Sequence, residues 1–174
     1  MQTTLYAFPA MLTRDRRGRY VVRFPDLPEA LTDGATEARA LMEAADCLSE
    51  ALMSRITDGE DIPAPSAVRR GQYQVAPDPT VALKAALHGV AREQSISASE
   101  LGRRLRVDRK EARRLLDPRH PSKLPRLAEA LGALGHGVAI TLFDASRRDR
   151  LLTVPGSPDR RAMKAGRAAR VEAR

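Results

Sequence analysis

Tryptophan is absent from this sequence of 174 residues, and three tyrosines with three phenylalanines bring the aromatic share to only 3%. That scarcity argues against a stacking platform for unpaired bases, which depends on aromatic faces. A single cysteine, Cys47, forbids an internal disulfide, and the three histidines form no Cys/His group with metal-ligand spacing. No apolar run is long enough to cross a bilayer, and no basic segment followed by an apolar core opens the chain. The expectation is therefore a soluble, unprocessed, cytoplasmic protein without a membrane partner, a metal or a cofactor.

What the chain has in excess is positive charge, unevenly placed. Residues 1–76 carry 9 basic and 11 acidic side chains, residues 77–144 carry 12 and 8, and residues 145–174 carry 9 and 3. The surplus begins where the residue pattern itself changes. A basic half favours a polyanion, because neutralising phosphates releases their counterions. With so few aromatics, duplex DNA is the better reading of that polyanion.

The first part alternates. Tyr6, Phe8, Ala10 and Leu12 interleave with Leu5, Ala7, Pro9 and Met11, and Tyr20, Val22 and Phe24 with Arg19, Val21 and Arg23. These are two strands, joined through Arg14-Asp15-Arg16-Arg17-Gly18 as a hairpin. Pro25-Asp26-Leu27-Pro28 interrupts pairing, Glu29–Thr32 offers a third strand, and Asp33-Gly34 turns the chain. Thr36 caps a helix with an apolar face at Ala38, Leu41, Ala45, Leu48, Leu52 and Ile56, which should cover the sheet. Asp58-Gly59 ends it, Ile62-Pro63-Ala64-Pro65-Ser66 connects, and Gly71–Val75 adds a fourth, edge strand. The boundary falls near Ala76, before Pro77-Asp78-Pro79.

From Val81 the pattern is helical, with Leu83, Leu87 and Val90 on one helix and Leu124, Leu127, Leu131 and Leu134 on another that ends at Gly135. Between them, Ser97-Ala98-Ser99-Glu100 and Asp108-Arg109-Lys110-Glu111 both fit a capping box, so helices Ala98–Leu105 and Arg109–Leu116 flank the turn Arg106-Val107-Asp108. Leu101, Leu105, Val107, Ala112 and Leu115 point inward, and small Gly102 allows close packing. A rotation of about 100° per residue gathers Arg109, Lys110, Arg113 and Arg114 on the outer side of the second helix. Such a helix suits a major groove, where arginine reads guanine and other cations grip phosphate. Ser97 and Ser99 at the first helix start, with Arg119 and Lys123 in the following loop, complete the candidate DNA contacts. Arg106 stands where a glycine commonly relieves the turn.

Val138–Phe143 alternates as one strand after the helices. Lacking a neighbour in sequence, it should pair with the same strand of a second chain, giving a homodimer or higher even oligomer. The tail 145–174 has little periodicity beyond Leu151, Leu152 and Val154, and disorder is expected there.

The stretch Phe8–Leu12, then Gly18–Ala30 with Phe24-Pro25-Asp26-Leu27-Pro28, the following helix and Asp58-Gly59-Glu60 resembles the HicB antitoxin family. Residues 81–134 resemble lambda-repressor-like helix-turn-helix domains. The two resemblances imply an α+β organisation: a partial RNase H-like toxin-binding domain over 1–76, a DNA-binding and dimerising domain over 77–144, and a basic tail over 145–174. They also imply a HicA-like ribonuclease toxin as partner and double-stranded promoter DNA as target, with no enzymatic activity. On the toxin side Asp26 and Glu29 are the candidate contacts.

Two other readings stay open: a stand-alone repressor without a toxin, and an RNase H-like nuclease built on Asp15, Asp26, Glu29 and Asp33. Three of those acids, Asp26, Glu29 and Asp33, sit beside Pro or Gly, and no strand carries an inward pair, so loops and turns explain the set better than carboxylates converging on a metal. His88, His120 and His136 are scattered, and Cys47 reads as a small core hydrophobe.

Overall fold

The computed structural model describes residues 6–140 and 151–152. Strands β1 (Phe8–Arg14) and β2 (Tyr20–Phe24) pair antiparallel, with Met11 opposite Arg23 and Arg14 opposite Tyr20. One carboxylate organises the hairpin between them. Asp15 Oδ1 accepts from Arg17 N at 2.9 Å and from Arg19 N at 2.8 Å, while Gly18 takes the positive φ of 82° that closes the loop. On β2 the faces alternate as expected, with Val22 and Phe24 buried and Arg23 exposed. The start of β1 departs from the expected alternation: Ala7 and Pro9 are buried along with Phe8 and Ala10, and only from Met11 is the strand exposed on one face.

Strand β3 (Leu27–Gly34) is longer than Glu29–Thr32, and Pro28 lies inside it. Phe24 faces Leu27 across a two-residue turn, and the register then slips so that Arg23 faces Leu31. Proline is tolerated because β3 is the outermost strand in the order β3-β2-β1-β4-β5, where a missing donor need not break a ladder. Strand β4 (Tyr73–Val75) pairs antiparallel with β1, and β5 (Leu151–Leu152) pairs parallel with β4. Thus β4 is not the edge that the sequence suggested: two residues of the tail join the sheet beside it. The remainder of 145–174 lies outside the described residues.

Helix α1 (Glu37–Asp58) starts at Thr36, whose hydroxyl accepts from Arg39 N at 3.2 Å. Its buried track is Ala40, Ala44, Leu48, Ala51, Leu52 and Ile56, whereas Ala38 is exposed and Leu41 half-buried. The apolar face therefore begins at Ala40, nearly opposite Ala38 on the helix. Gly34 sets that orientation: a Cβ there would lie 2.4 Å from Ala40 N, so the end of β3 and the first turn of α1 meet backbone to backbone. Small alanines along the track let the helix lie close over Val22, Phe24 and Leu27.

Four further helices follow: α2 (Pro79–Glu93), α3 (Ala98–Leu105), α4 (Arg109–Leu116) and α5 (Leu124–Ala133). The spans of α3 and α4 are those read from the sequence. Leu87, Leu101, Ala112, Leu115, Leu127, Ala130, Leu131 and Leu134 form a second buried cluster. Helix α2 belongs to both clusters, since Val81 is buried with the sheet and Leu87 with the helices. It is also fastened to the end of α1. His88 Nε2 lies 2.8 Å from Glu60 O, and Arg92 holds Gly59 O at 2.5 Å and Asp61 at 2.8 Å.

Four of the five described helices close with paired backbone bonds around a positive-φ residue: α1 at Gly59, α2 at Ser95, α3 at Arg106 and α5 at Gly135. Two of those residues are not glycine. Only α4 ends otherwise, in extended Asp117. Beyond α5, Val138–Ile140 form no strand in the single chain, and Thr141–Phe143 of the expected strand lie outside the described residues.

Candidate nucleic-acid interface

Helix α4 presents its cations because its apolar residues are consumed by the core. Ala112 is fully buried and Leu115 nearly so, packed with Leu101 and Leu127, which turns Arg109, Lys110, Arg113 and Arg114 to solvent. Gly102 on α3 makes the approach possible: a Cβ there would meet Val107 O at 3.0 Å and Ala112 Cβ at 3.5 Å. The turn between the helices closes through Val107 N to Gly102 O at 2.9 Å, with Arg106 at φ 56°. Arg106 therefore accepts the left-handed conformation that glycine would have supplied without a Cβ penalty.

Charge pairing separates this face from its surroundings. Glu100 grips Arg103 at 2.7 Å and Arg104 at 2.9 Å, and those guanidiniums hold its carboxyl down to about 2. Arg126 of α5 bridges Glu111 and Glu129 at 2.5 Å each. Among the described residues, Arg109, Lys110, Arg113 and Arg114 enter no ion pair. Within the helical unit, all four cations of α4 are thus unpaired, while Arg103 and Arg104 of α3 share Glu100 and Arg126 of α5 is held by two glutamates.

Both capping boxes are half made. Ser97 Oγ accepts from Glu100 N at 3.2 Å and Asp108 Oδ1 from Glu111 N at 2.8 Å, but the two glutamates turn to arginines instead of reaching back. Ser97 is consequently a helix cap, and exposed Ser99 follows it in the first turn. In the loop after α4, Arg119 lies 3.9 Å from Glu50 of α1 with both side chains mostly exposed, a weak tether. Lys123 is exposed at the start of α5. An open groove of about 450 Å³ runs between α4 and this loop, bordered by Lys110, Arg114, His120 and Lys123.

The sequence reading missed Lys84. It is 2% exposed on α2, and its ammonium donates to Arg114 O at 2.9 Å and Asp117 O at 2.5 Å. The final carbonyls of a helix lack internal donors. Lys84 supplies them where α4 lacks the closure used elsewhere. Burial pushes its amine down to about 8, against a smaller upward pull from Asp117. A lysine among Leu83, Ala85 and Leu87, one helical position from the apolar track, was the available signal.

Comparison with known proteins gives the family. The model of the HicB-like antitoxin of bacterial toxin-antitoxin systems matches residues 7–86. Antitoxin HicB 1 of Photorhabdus laumondii is 34% identical over 135 residues, covering 78% of this chain and 86% of that protein. Antitoxin HicB of Escherichia coli K12 is 33% identical over 135 residues and is covered over 98% of its length. The chain belongs to the HicB antitoxin family. A third relative, antitoxin HicB of Pseudomonas fluorescens, is 30% identical over 134 residues and covered to 92%. A match of 135 residues in a chain of 174 necessarily takes in α2 to α5, so this HicB-family likeness is not confined to the sheet.

Within this HicB-family chain the acidic candidates each have a partner. Asp26 Oδ2 accepts from Ser66 N at 2.9 Å and pins the connector to the β2–β3 turn. Glu29 pairs with Arg55 of α1 and Asp33 with Arg19, which holds both carboxyls below their ordinary range. Asp15 serves the hairpin. The four do not converge, and among the described residues no group of three His, Cys, Asp or Glu is placed to hold a metal. No described helix is long and apolar enough to cross a membrane.

Proposed function

We propose that this chain is the antitoxin of a toxin-antitoxin pair: residues 1–76 bind a HicA-like ribonuclease toxin, and residues 77–144 repress the pair's own promoter. The observation that carries the DNA half is the unpaired quartet Arg109, Lys110, Arg113 and Arg114 on α4, set beside α3 by a three-residue turn as in a lambda-repressor-like helix-turn-helix. The strand-strand-strand-helix-strand order of the first unit supports the partial RNase H-like reading, and the family supports the toxin. The protein acts by binding, in the cytoplasm, with no catalytic residue and no cofactor.

On DNA, Arg109 and Arg113 read base edges in the major groove, Lys110 and Arg114 reach the flanking backbone, and Ser97, Ser99, Arg119 and Lys123 secure phosphates. Exposed Ile140 opens the segment through which two chains pair and space their α4 helices over successive half-sites. Toxin contact at Asp26 and Glu29 uses carboxylates already oriented by Ser66 and Arg55.

Anisotropy titration with duplex from the chain's own upstream region, against random duplex, tests this. Arg113→Ala should cost about 1 to 3 kcal/mol on the specific site alone. Equal affinity of the wild type for both duplexes would end the repressor reading. Co-expression with the adjacent small open reading frame tests the toxin half, since an antitoxin must restore growth; without such a neighbour, the stand-alone repressor takes its place.

A further inference from the structure

The groove between α4 and the following loop contains one side chain that neither the cores nor the ion pairs explain. Among the described residues, His120 Nδ1 is buried with no partner, whereas Nε2 is neither buried in that way nor in a hydrogen bond. A buried N–H without an acceptor is rarer and costlier in proteins than a buried lone pair without a donor. The ring is therefore better accommodated with its proton on Nε2, the nitrogen left accessible beside the groove. Around that donor stand Lys110, Arg114 and Lys123. The nearby acids are occupied: Asp108 caps α4 and Glu111 is held by Arg126.

The geometry points to His120 as an uncharged hydrogen-bond donor to one backbone phosphate of bound DNA, seated among the three cations. This rests on the DNA-binding reading of α4 and adds a contact of different physics. A lysine on phosphate releases a counterion and steepens the salt dependence, while a neutral N–H contributes affinity and leaves the slope alone.

The full-length protein with ¹⁵N-labelled histidine tests it, using a random-sequence 20-base-pair duplex as the probe. Long-range ¹H–¹⁵N correlation at pH 8 should find the His120 proton on Nε2, and the duplex should shift that signal. In anisotropy titrations across potassium chloride concentration, His120→Leu should weaken binding about tenfold with an unchanged slope. His120→Gln, whose amide nitrogen sits near the Nε2 position, should stay within about twofold of wild type, and Lys123→Ala should lower the slope by about one. A proton on Nδ1, or a His120→Leu protein that binds like wild type while Lys123→Ala binds more weakly, would overturn the assignment. If no variant, Lys123→Ala included, alters binding, the DNA reading itself falls. Should His120→Leu fail to fold, the ring-proton measurement and the glutamine variant still decide.

Discussion

Replacing Lys84 by methionine should alter the pH dependence of stability more than stability itself. At pH 7 the buried ammonium costs desolvation, yet it closes two carbonyls at the end of α4. Methionine removes the cost, orphans Arg114 O at about 1 to 3 kcal/mol, and leaves Asp117 O with only the 3.3 Å bond from His120 N. The two effects nearly cancel. They separate on raising the pH, because the native amine titrates at about 8 and the unfolded one at 10.5. Below pH 8 both states are protonated and the native state bears the full penalty. Between 8 and 10.5 the unfolded chain binds the extra proton, so native stability rises with pH. One pK unit corresponds to about 1.36 kcal/mol, so wild type should gain about 2.5 kcal/mol on Lys84→Met between pH 7 and pH 10. Titrations of Tyr6 and Cys47, which burial raises, are common to both proteins and drop out of the difference. Urea unfolding of both proteins at pH 7, 8, 9 and 10 measures it. A difference flat in pH would refute the reasoning, since it would mean that the amine keeps its hydration in the native state.

Gly34→Ala should lower the urea midpoint by the equivalent of about 1 to 3 kcal/mol, because the new methyl meets the backbone of Ala40 and not a side chain that can move. Arg106→Gly should raise Tm by about 2 to 4 °C in a thermal melt, relieving a left-handed residue worth about 1 kcal/mol net of glycine's extra freedom. Glu100→Gln frees Arg103 and Arg104 from their clamp, so affinity for random duplex should rise severalfold at low salt, with a steeper salt dependence; unchanged binding would place α3 away from the phosphates.

How far the sequence could be read depended on the range of the forces involved. Hairpin, caps and turn are local: Asp15 with Gly18, Thr36 with Arg39, and Ser97 and Asp108 with the amide three residues on are encoded within a few positions, and their helices and strands were legible. The face of α1 was misplaced by its first turn, because what fixes it is the meeting of Gly34 with Ala40, a close approach that apolar periodicity does not record. Pro28 was taken as a break because a proline ends pairing in an inner strand, and nothing local says that β3 is the outer one. The partners of Glu100 and Glu111 were missed since a carboxylate offered a guanidinium three, four or fifteen residues away prefers it to a lone amide.

The same contrast bears on how the two halves work together. Helix α2 cannot be assigned to one half: Val81 packs under the sheet, Leu87 packs under α3 and α5, His88 and Arg92 bind the end of α1, and Lys84 holds the end of α4. The sheet and α1 are therefore connected to α4 through one helix and a few hydrogen bonds. Coupling between two binding surfaces needs an element that both bias, and α2 is in contact with each. On the proposed function, toxin binding and promoter binding would be linked through Lys84. Lys84→Met should then change the ratio of promoter affinities measured with and without toxin, while the toxin affinity of the free protein stays the same. A ratio equal to that of wild type would mean that the two surfaces share a helix and nothing more.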